Sequence, residues 1–109
     1  MNINELKSLT ESLLETFLNA GRKAMELRNN GLKTTFKSDN TPVTNGDLEV
    51  DKLLKEKIIQ STPNIPVISE ETVNLNNNEK YKNFWLVDPI DGTREYINNQ
   101  DEFTLNASL

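Results

Sequence analysis

Between Ile3 and about Arg28 the apolar residues fall at Leu6, Leu9, Leu13, Phe17, Ala20, Ala24 and Leu27. Intervals of three and four set them on one face of a helix. Leu14, Leu18 and Met25 widen that face, and Asn29-Asn30-Gly31 supplies a stop. A partner-binding or membrane-surface helix would share this pattern, but a helix packed on its own sheet is its commoner use. Leu32 to Lys37 favours extended structure through Thr34, Thr35 and Phe36. Ser38-Asp39-Asn40-Thr41-Pro42 is a turn cluster. A second helix runs from Leu48 to Ile59, with Val50, Leu53, Leu54 and Ile58 on its apolar side. Thr44 and Asp47 before it have capping-box spacing, a feature worth about 1 kcal/mol. For Asp47 a functional role stays open beside the cap.

After the break at Ser61-Thr62-Pro63-Asn64, the chain twice drives apolar residues into acids. Ile65-Pro66-Val67-Ile68-Ser69 reads as a short strand ending in Glu70-Glu71. Phe84-Trp85-Leu86-Val87 reads as a strand buried on both faces, stopping where Asp88-Pro89-Ile90-Asp91-Gly92-Thr93 begins. The acids would then sit on a turn stiffened by Pro89 and given freedom by Gly92. Asn74 to Asn83 is a polar surface loop. Arg94 to Asp101 is a short turn-rich segment, in which Arg94 faces an anionic ligand or pairs with Glu95. Phe103 to Leu109 is a final strand, and the chain stops inside it. The expectation is one domain over 1–109, the front part of a longer protein.

Composition narrows the chemistry. With 109 residues, 35% hydrophobic and 27% charged, the chain has material for one modest core. A net charge of −5 argues against a partner in nucleic acid polymer, which calls for a basic face. With no cysteine or histidine, disulfides, thiolate sites and Cys or His nucleophiles are excluded. The N-terminus has no signal pattern and no run approaches an integral membrane segment, so cytoplasm is the default.

Asp88 and Asp91, three residues apart on a stiffened turn with the carbonyl of Ile90 between them, suit a hard divalent cation. The hydroxyl and amides at Gly92 and Thr93 follow at once, and cation ligands beside phosphate-sized donors suggest metal-assisted phosphoryl chemistry. Turn propensity alone would also explain Asp and Gly here. If the two strands end side by side, Glu70 joins the two aspartates, and their mutual repulsion calls for a cation. If they end at opposite edges, Glu70 and Glu71 are surface charges. A dehalogenase-type phosphatase, with D-x-D-G-T and a nucleophilic first Asp, fails on spacing, because the position two before Asp91 is Pro89.

At Asp88-Pro-Ile-Asp-Gly-Thr93 the chain resembles the inositol monophosphatase superfamily of magnesium-dependent, lithium-sensitive phosphatases. Lys37-Ser-Asp-Asn-Thr-Pro-Val-Thr44 with Asp47 resembles its N-terminal signature, and Pro66-Val-Ile-Ser-Glu-Glu71 its glutamate-bearing strand. Ser-Glu-Glu, the run from Trp85 to Ile97, and Glu102-Phe-Thr-Leu-Asn look most like the bacterial 3′(2′),5′-bisphosphate nucleotidase branch. That branch removes the 3′-phosphate from adenosine 3′,5′-bisphosphate. Inositol phosphatases usually carry Thr-Asn-Phe where this chain has Arg94-Glu95-Tyr96.

The resemblance implies an α+β fold, the N-terminal part of a layered α-β-α-β-α sandwich with two amphipathic helices packed on an antiparallel sheet. It implies Mg²⁺ as cofactor, one ion held by Glu70, Asp88 and the carbonyl of Ile90, with Asp88 bridging to a second that Asp91 also binds. Gly92 and Thr93 would hold the phosphate of a small phosphorylated substrate. Glu70 and Thr93 would orient the attacking water, with Asp47 accepting the Thr93 hydroxyl. It also implies a place in the cytoplasm, extending to the cytoplasmic face of the membrane. Two departures stand out: Asn45-Gly46, which would loosen the second helix's first turn, and the family's C-terminal half, which carries a further metal-binding aspartate. An inositol monophosphatase-like activity is the alternative within the enzyme class. A non-catalytic magnesium-binding fragment is the alternative outside it. The oligomeric state is not legible in the residues.

Overall fold

The computed structural model describes residues 1–70 and 82–109. Glu71 and most of the asparagine-rich stretch after it lie outside the described residues.

Helix α1 (Ile3–Asn29) starts at Asn2, whose side chain accepts the Glu5 N–H at 2.8 Å. It buries Leu13, Ala20 and Ala24, and the two alanines have no exposed surface. Small residues at this seam let α1 lie close against α2 (Asn45–Ser61), which is its principal neighbour. The helix therefore packs on another helix rather than directly on the sheet. Leu14 and Leu18, read as widening the buried face, are 58% and 61% exposed. Their side of α1 points away from α2.

Between the helices, β1 (Thr34–Phe36) and β2 (Pro42–Thr44) form an antiparallel hairpin, so the extended stretch finds its partner just beyond the turn. Asn40 takes a left-handed φ of 66° at the tip. Asp39 accepts the Thr41 hydroxyl at 2.6 Å and its N–H at 3.0 Å, an Asx turn.

α2 begins three residues before Leu48, at Asn45, and carries the complete capping box. Thr44 Oγ1 accepts the Asp47 N–H at 3.2 Å, and the Asp47 carboxylate accepts the Thr44 N–H at 2.9 Å. Gly46 sits inside this turn, which forms with both bonds of the box in place. It is buried, and a Cβ there would collide with the ring of Tyr96, 2.8 Å from Cε2 and 2.9 Å from Cζ.

Strands β3 (Val67–Ser69), β4 (Trp85–Asp91) and β5 (Thr104–Ser108) form one sheet in that order. The β4–β5 pair is antiparallel as expected, but β3 and β4 run parallel, so the sheet is mixed. β4 is not buried on both faces: Trp85 and Val87 point into the core while Leu86 is 51% exposed. Helices cover one face only among the described residues, and period-two alternation puts Leu86 on the other. Nor does β4 stop at Asp88. It continues to Asp91 through a register irregularity between Asp88 and Asp91, which accommodates Pro89, a residue with no N–H for the ladder. A short helix, α3 (Thr93–Ile97), replaces the expected turn before β5. Val50, Leu54, Ile58, Trp85, Val87, Ile90 and Tyr96 form the centre of the core.

Candidate functional site

The parallel β3–β4 pair decides which acids meet. Parallel neighbours finish at the same sheet edge, whereas antiparallel ones finish at opposite edges. Ser69 registers with Val87, and the Glu70 N–H continues the pairing by donating to the Val87 carbonyl at 3.0 Å. Glu70 is thereby set beside the start of Asp88-Pro-Ile-Asp91. Just before it, the Ser69 hydroxyl donates to the buried Asp51 carboxylate, pinning the end of β3 to α2.

Glu70, Asp88, Ile90, Asp91, Gly92 and Thr93 all line one cleft of about 600 Å³. Among the described residues no three acidic side chains are gathered tightly enough to hold an ion by themselves. The acids converge on one cleft rather than on one point. The oxygens its acids and the Ile90 carbonyl offer, with no histidine or thiolate beside them, fit a hard divalent cation rather than a softer metal.

Gly92 makes the corner from β4 into α3. Its φ of 93° lies in the left-handed region, and a Cβ there would stand 2.8 Å from the Glu102 carbonyl oxygen. Only glycine allows the turn and the approach together. The corner delivers Thr93, whose hydroxyl donates to Asp47 Oδ1 at 2.9 Å, with the Ile90 carbonyl at 3.3 Å as the weaker alternative acceptor. Asp47 Oδ2 meanwhile accepts from the Thr44 hydroxyl at 2.5 Å and its N–H at 2.9 Å. One carboxylate thus completes the capping box of α2 and accepts the Thr93 hydroxyl.

Tyr96, on the first turns of α3, has no role assigned from sequence. It is fully buried, packs against Gly46, and donates its hydroxyl to the Ala24 carbonyl at 2.5 Å. Burial, with the Asp47 charge as a lesser cause, raises its pKa from 10 to about 12. Arg28 is wedged behind it, 5.6 Å from the Tyr96 ring centre and 5.2 Å from that of Phe103. Its guanidinium donates to the Gln100 carbonyl at 2.8 Å and pairs with Asp101 at 3.0 Å. α1 thus holds the segment that follows the Gly92 corner.

The hairpin contributes Lys37, Asp39 and Thr41 to the cleft, and α3 contributes Arg94 and Glu95. The sequence offered a clue to the hairpin residues only through the signature from Lys37 to Thr44. The Thr41 hydroxyl, then its N–H, holds the Asp39 carboxyl below the usual range. Arg94 forms no ion pair with Glu95; among the described residues the ion pairs are Lys23–Glu26 and Arg28–Asp101. No helix of the described residues is long and apolar enough to cross a membrane.

A family model described as the inositol monophosphatase family matches residues 5–109. The chain is 37% identical over 108 residues to the 3′(2′),5′-bisphosphate nucleotidase CysQ of Haemophilus influenzae, covering 94% of this chain and 40% of that protein. It is 35% identical over 94 residues to the same-named protein of Escherichia coli K12, covering 84% and 38%. Among solved structures, a LiCl-soaked staphylococcal inositol monophosphatase-1 matches with a TM-score of 0.78 at 21% identity, over 99% of this chain and 40% of that one. An IMPase/NADP phosphatase complexed with Mg²⁺ and phosphate matches with a TM-score of 0.71 at 21% identity, over 92% and 39%. The structural matches fix the fold, which is the N-terminal part of that α+β architecture. The chain spans about 40% of the length of the curated relatives it matches.

Proposed function

The chain belongs to the inositol monophosphatase family, and we propose that its cleft serves Mg²⁺-dependent hydrolysis of a phosphomonoester, the 3′-phosphate of adenosine 3′,5′-bisphosphate. The observation that carries this reading is the hydrogen bond to buried Asp47 from Thr93, a residue that lines one cleft with Glu70, Asp88 and Asp91. The nucleotide is favoured over an inositol phosphate because the CysQ relatives are named bisphosphate nucleotidases.

Glu70, Asp88, Asp91 and the Ile90 carbonyl would hold Mg²⁺. When bound, the metal lowers the pKa of water and offsets charge on the phosphate and the leaving oxygen. The rest falls to the protein. Thr93 has one proton, and Asp47 takes it in a hydrogen bond, which turns the lone pairs of Oγ1 outward as acceptors for water. Asp47 cannot swing away, since both its oxygens are occupied by donors. A water held between Thr93 and Glu70 would lie in the cleft, with Glu70 as its second acceptor. The backbone amides of Gly92 and Thr93 follow the acids directly along the chain and would orient the phosphate. No side chain forms a covalent bond to phosphorus.

The test is Mg²⁺-dependent phosphate release from adenosine 3′,5′-bisphosphate and from inositol 1-phosphate, with and without lithium. Preference for the nucleotide and inhibition by lithium are expected. Release from inositol 1-phosphate alone would move the assignment to the inositol branch, and release from neither would end the phosphatase reading.

A further inference from the structure

We infer that Arg94 reads a second phosphate on the substrate and so sets the preference for a bisphosphate over a monophosphate. The inference rests on the phosphatase reading above and concerns a group to which that reading gives no part.

Arg94 is the second residue of α3, next to Thr93, and its side chain is exposed. It borders two cavities at once. One is the acid-lined cleft, and the other is a smaller neighbour of about 340 Å³ walled by Thr34, Phe36, Pro42 and Ile97. A ligand longer than a single phosphate ester would pass from the first toward the second across the Arg94 guanidinium and the Pro42 ring, which line both.

Charge makes that passage selective. The described cleft residues include five carboxylates, those of Asp39, Glu70, Asp88, Asp91 and Glu95, against two cations, Lys37 and Arg94. A reacting phosphate beside Asp88 and Asp91 has its charge offset by the metal. A second phosphate farther out has no such ion, and Glu95 and Asp39 would repel it unless a fixed cation stood there. Lys37 stands two residues from Asp39, on the hairpin side of the cleft and not on α3. Arg94 makes no ion pair among the described residues. A guanidinium also fits the task better than an ammonium, because its planar fork presents two parallel N–H donors to two phosphate oxygens.

Arg94 directly follows Thr93 on α3, so the residue at the reacting phosphate and the one reading the second phosphate are neighbours on one short helix. A diester or a monophosphate would leave the Arg94 fork in water, losing attraction without creating a clash. Arg94 therefore acts through binding of the correct substrate.

The experiment compares adenosine 3′,5′-bisphosphate with adenosine 3′-monophosphate, which differ only by the second phosphate. Binding by calorimetry and steady-state turnover are both measured on the intact enzyme, on Arg94→Ala and on Arg94→Lys. Arg94→Ala should lower the bisphosphate-to-monophosphate preference about tenfold or more, seen in KM rather than kcat. Arg94→Lys should restore part of it, since charge returns without the fork. An unchanged preference in Arg94→Ala, or equal binding of the two nucleotides by the unaltered enzyme, would overturn the inference. Arg94-dependent binding without any turnover would sustain the inference and overturn the hydrolase reading, so the two fail separately.

Discussion

Thr93 and Asp47 are 46 residues apart in sequence, and the Thr93 hydroxyl donates to Asp47 Oδ1 at 2.9 Å. This bond joins the start of α3 to the start of α2. Asp47 receives only donors, from Thr44 N–H, Thr44 hydroxyl and Thr93 hydroxyl. In Asp47→Asn one oxygen becomes an NH₂ group facing a donor. Turnover should fall about 100-fold or more, while folding stability falls by about 1–3 kcal/mol. Kinetics beside a urea titration separate the two. A loss confined to stability would leave Asp47 as a cap alone.

Gly46→Ala should destabilise the protein by about 1–3 kcal/mol, because the new methyl meets the Tyr96 ring rather than a flexible chain end. Coupling with Tyr96→Phe gives the sharper reading. Removing the hydroxyl, the atom nearest the added Cβ, should make the double variant less costly than the sum of the singles. Strict additivity in chemical denaturation would refute the contact.

Tyr96 also predicts an alkaline limit. Its pKa is raised from 10 to about 12 by burial. The unfolded chain releases the phenolic proton first, so the native state binds more protons between those values, and stability falls as pH rises through that window. Below pH 10 the contribution is fully present. Tyr96→Phe should flatten this part of the stability–pH curve, measured by thermal unfolding, while losing the hydrogen bond to Ala24.

Asp91→Asn tests the metal assignment without relying on turnover. Mg²⁺ should raise the thermal midpoint of the unaltered protein, since a ligand of the native state stabilises it by mass action. The rise should shrink or vanish in Asp91→Asn, and phosphate release should stop with it. A midpoint equally responsive in both proteins would remove Asp91 from the metal site.

Much of this was legible in the residues, and the parts that were not have physical causes. The capping box at Thr44 and Asp47 is local, so spacing alone reveals it. The delivery of Glu70 and Asp91 to strand ends is likewise written in two apolar runs, whereas Asp88 lies inside β4, which runs on past its apolar residues. Their arrival at one cleft depends on β3 and β4 running parallel, a pairing between distant segments that local pattern does not specify. Leu14 and Leu18 extend a helical stripe, yet which part of a broad stripe is covered depends on the neighbouring helix. Gly46 and Tyr96 each stand out in sequence only as a departure from the family pattern, and nothing local foretells that the glycine makes room for the ring. Arg28 ends a helix with a favourable charge, and nothing local foretells that it is buried under two aromatic rings.

Arg28 bears on the order in which the molecule is made. Its partners Gln100 and Asp101 lie 72 and 73 residues downstream, and Ala24 waits as long for the Tyr96 hydroxyl. During synthesis α1 emerges first but finds this seat only after the segment beyond Gly92 has left the ribosome. Contacts of such separation close late and slowly. Until then the nascent helix carries its arginine without the two aromatic rings and the Gln100 and Asp101 oxygens that later enclose it.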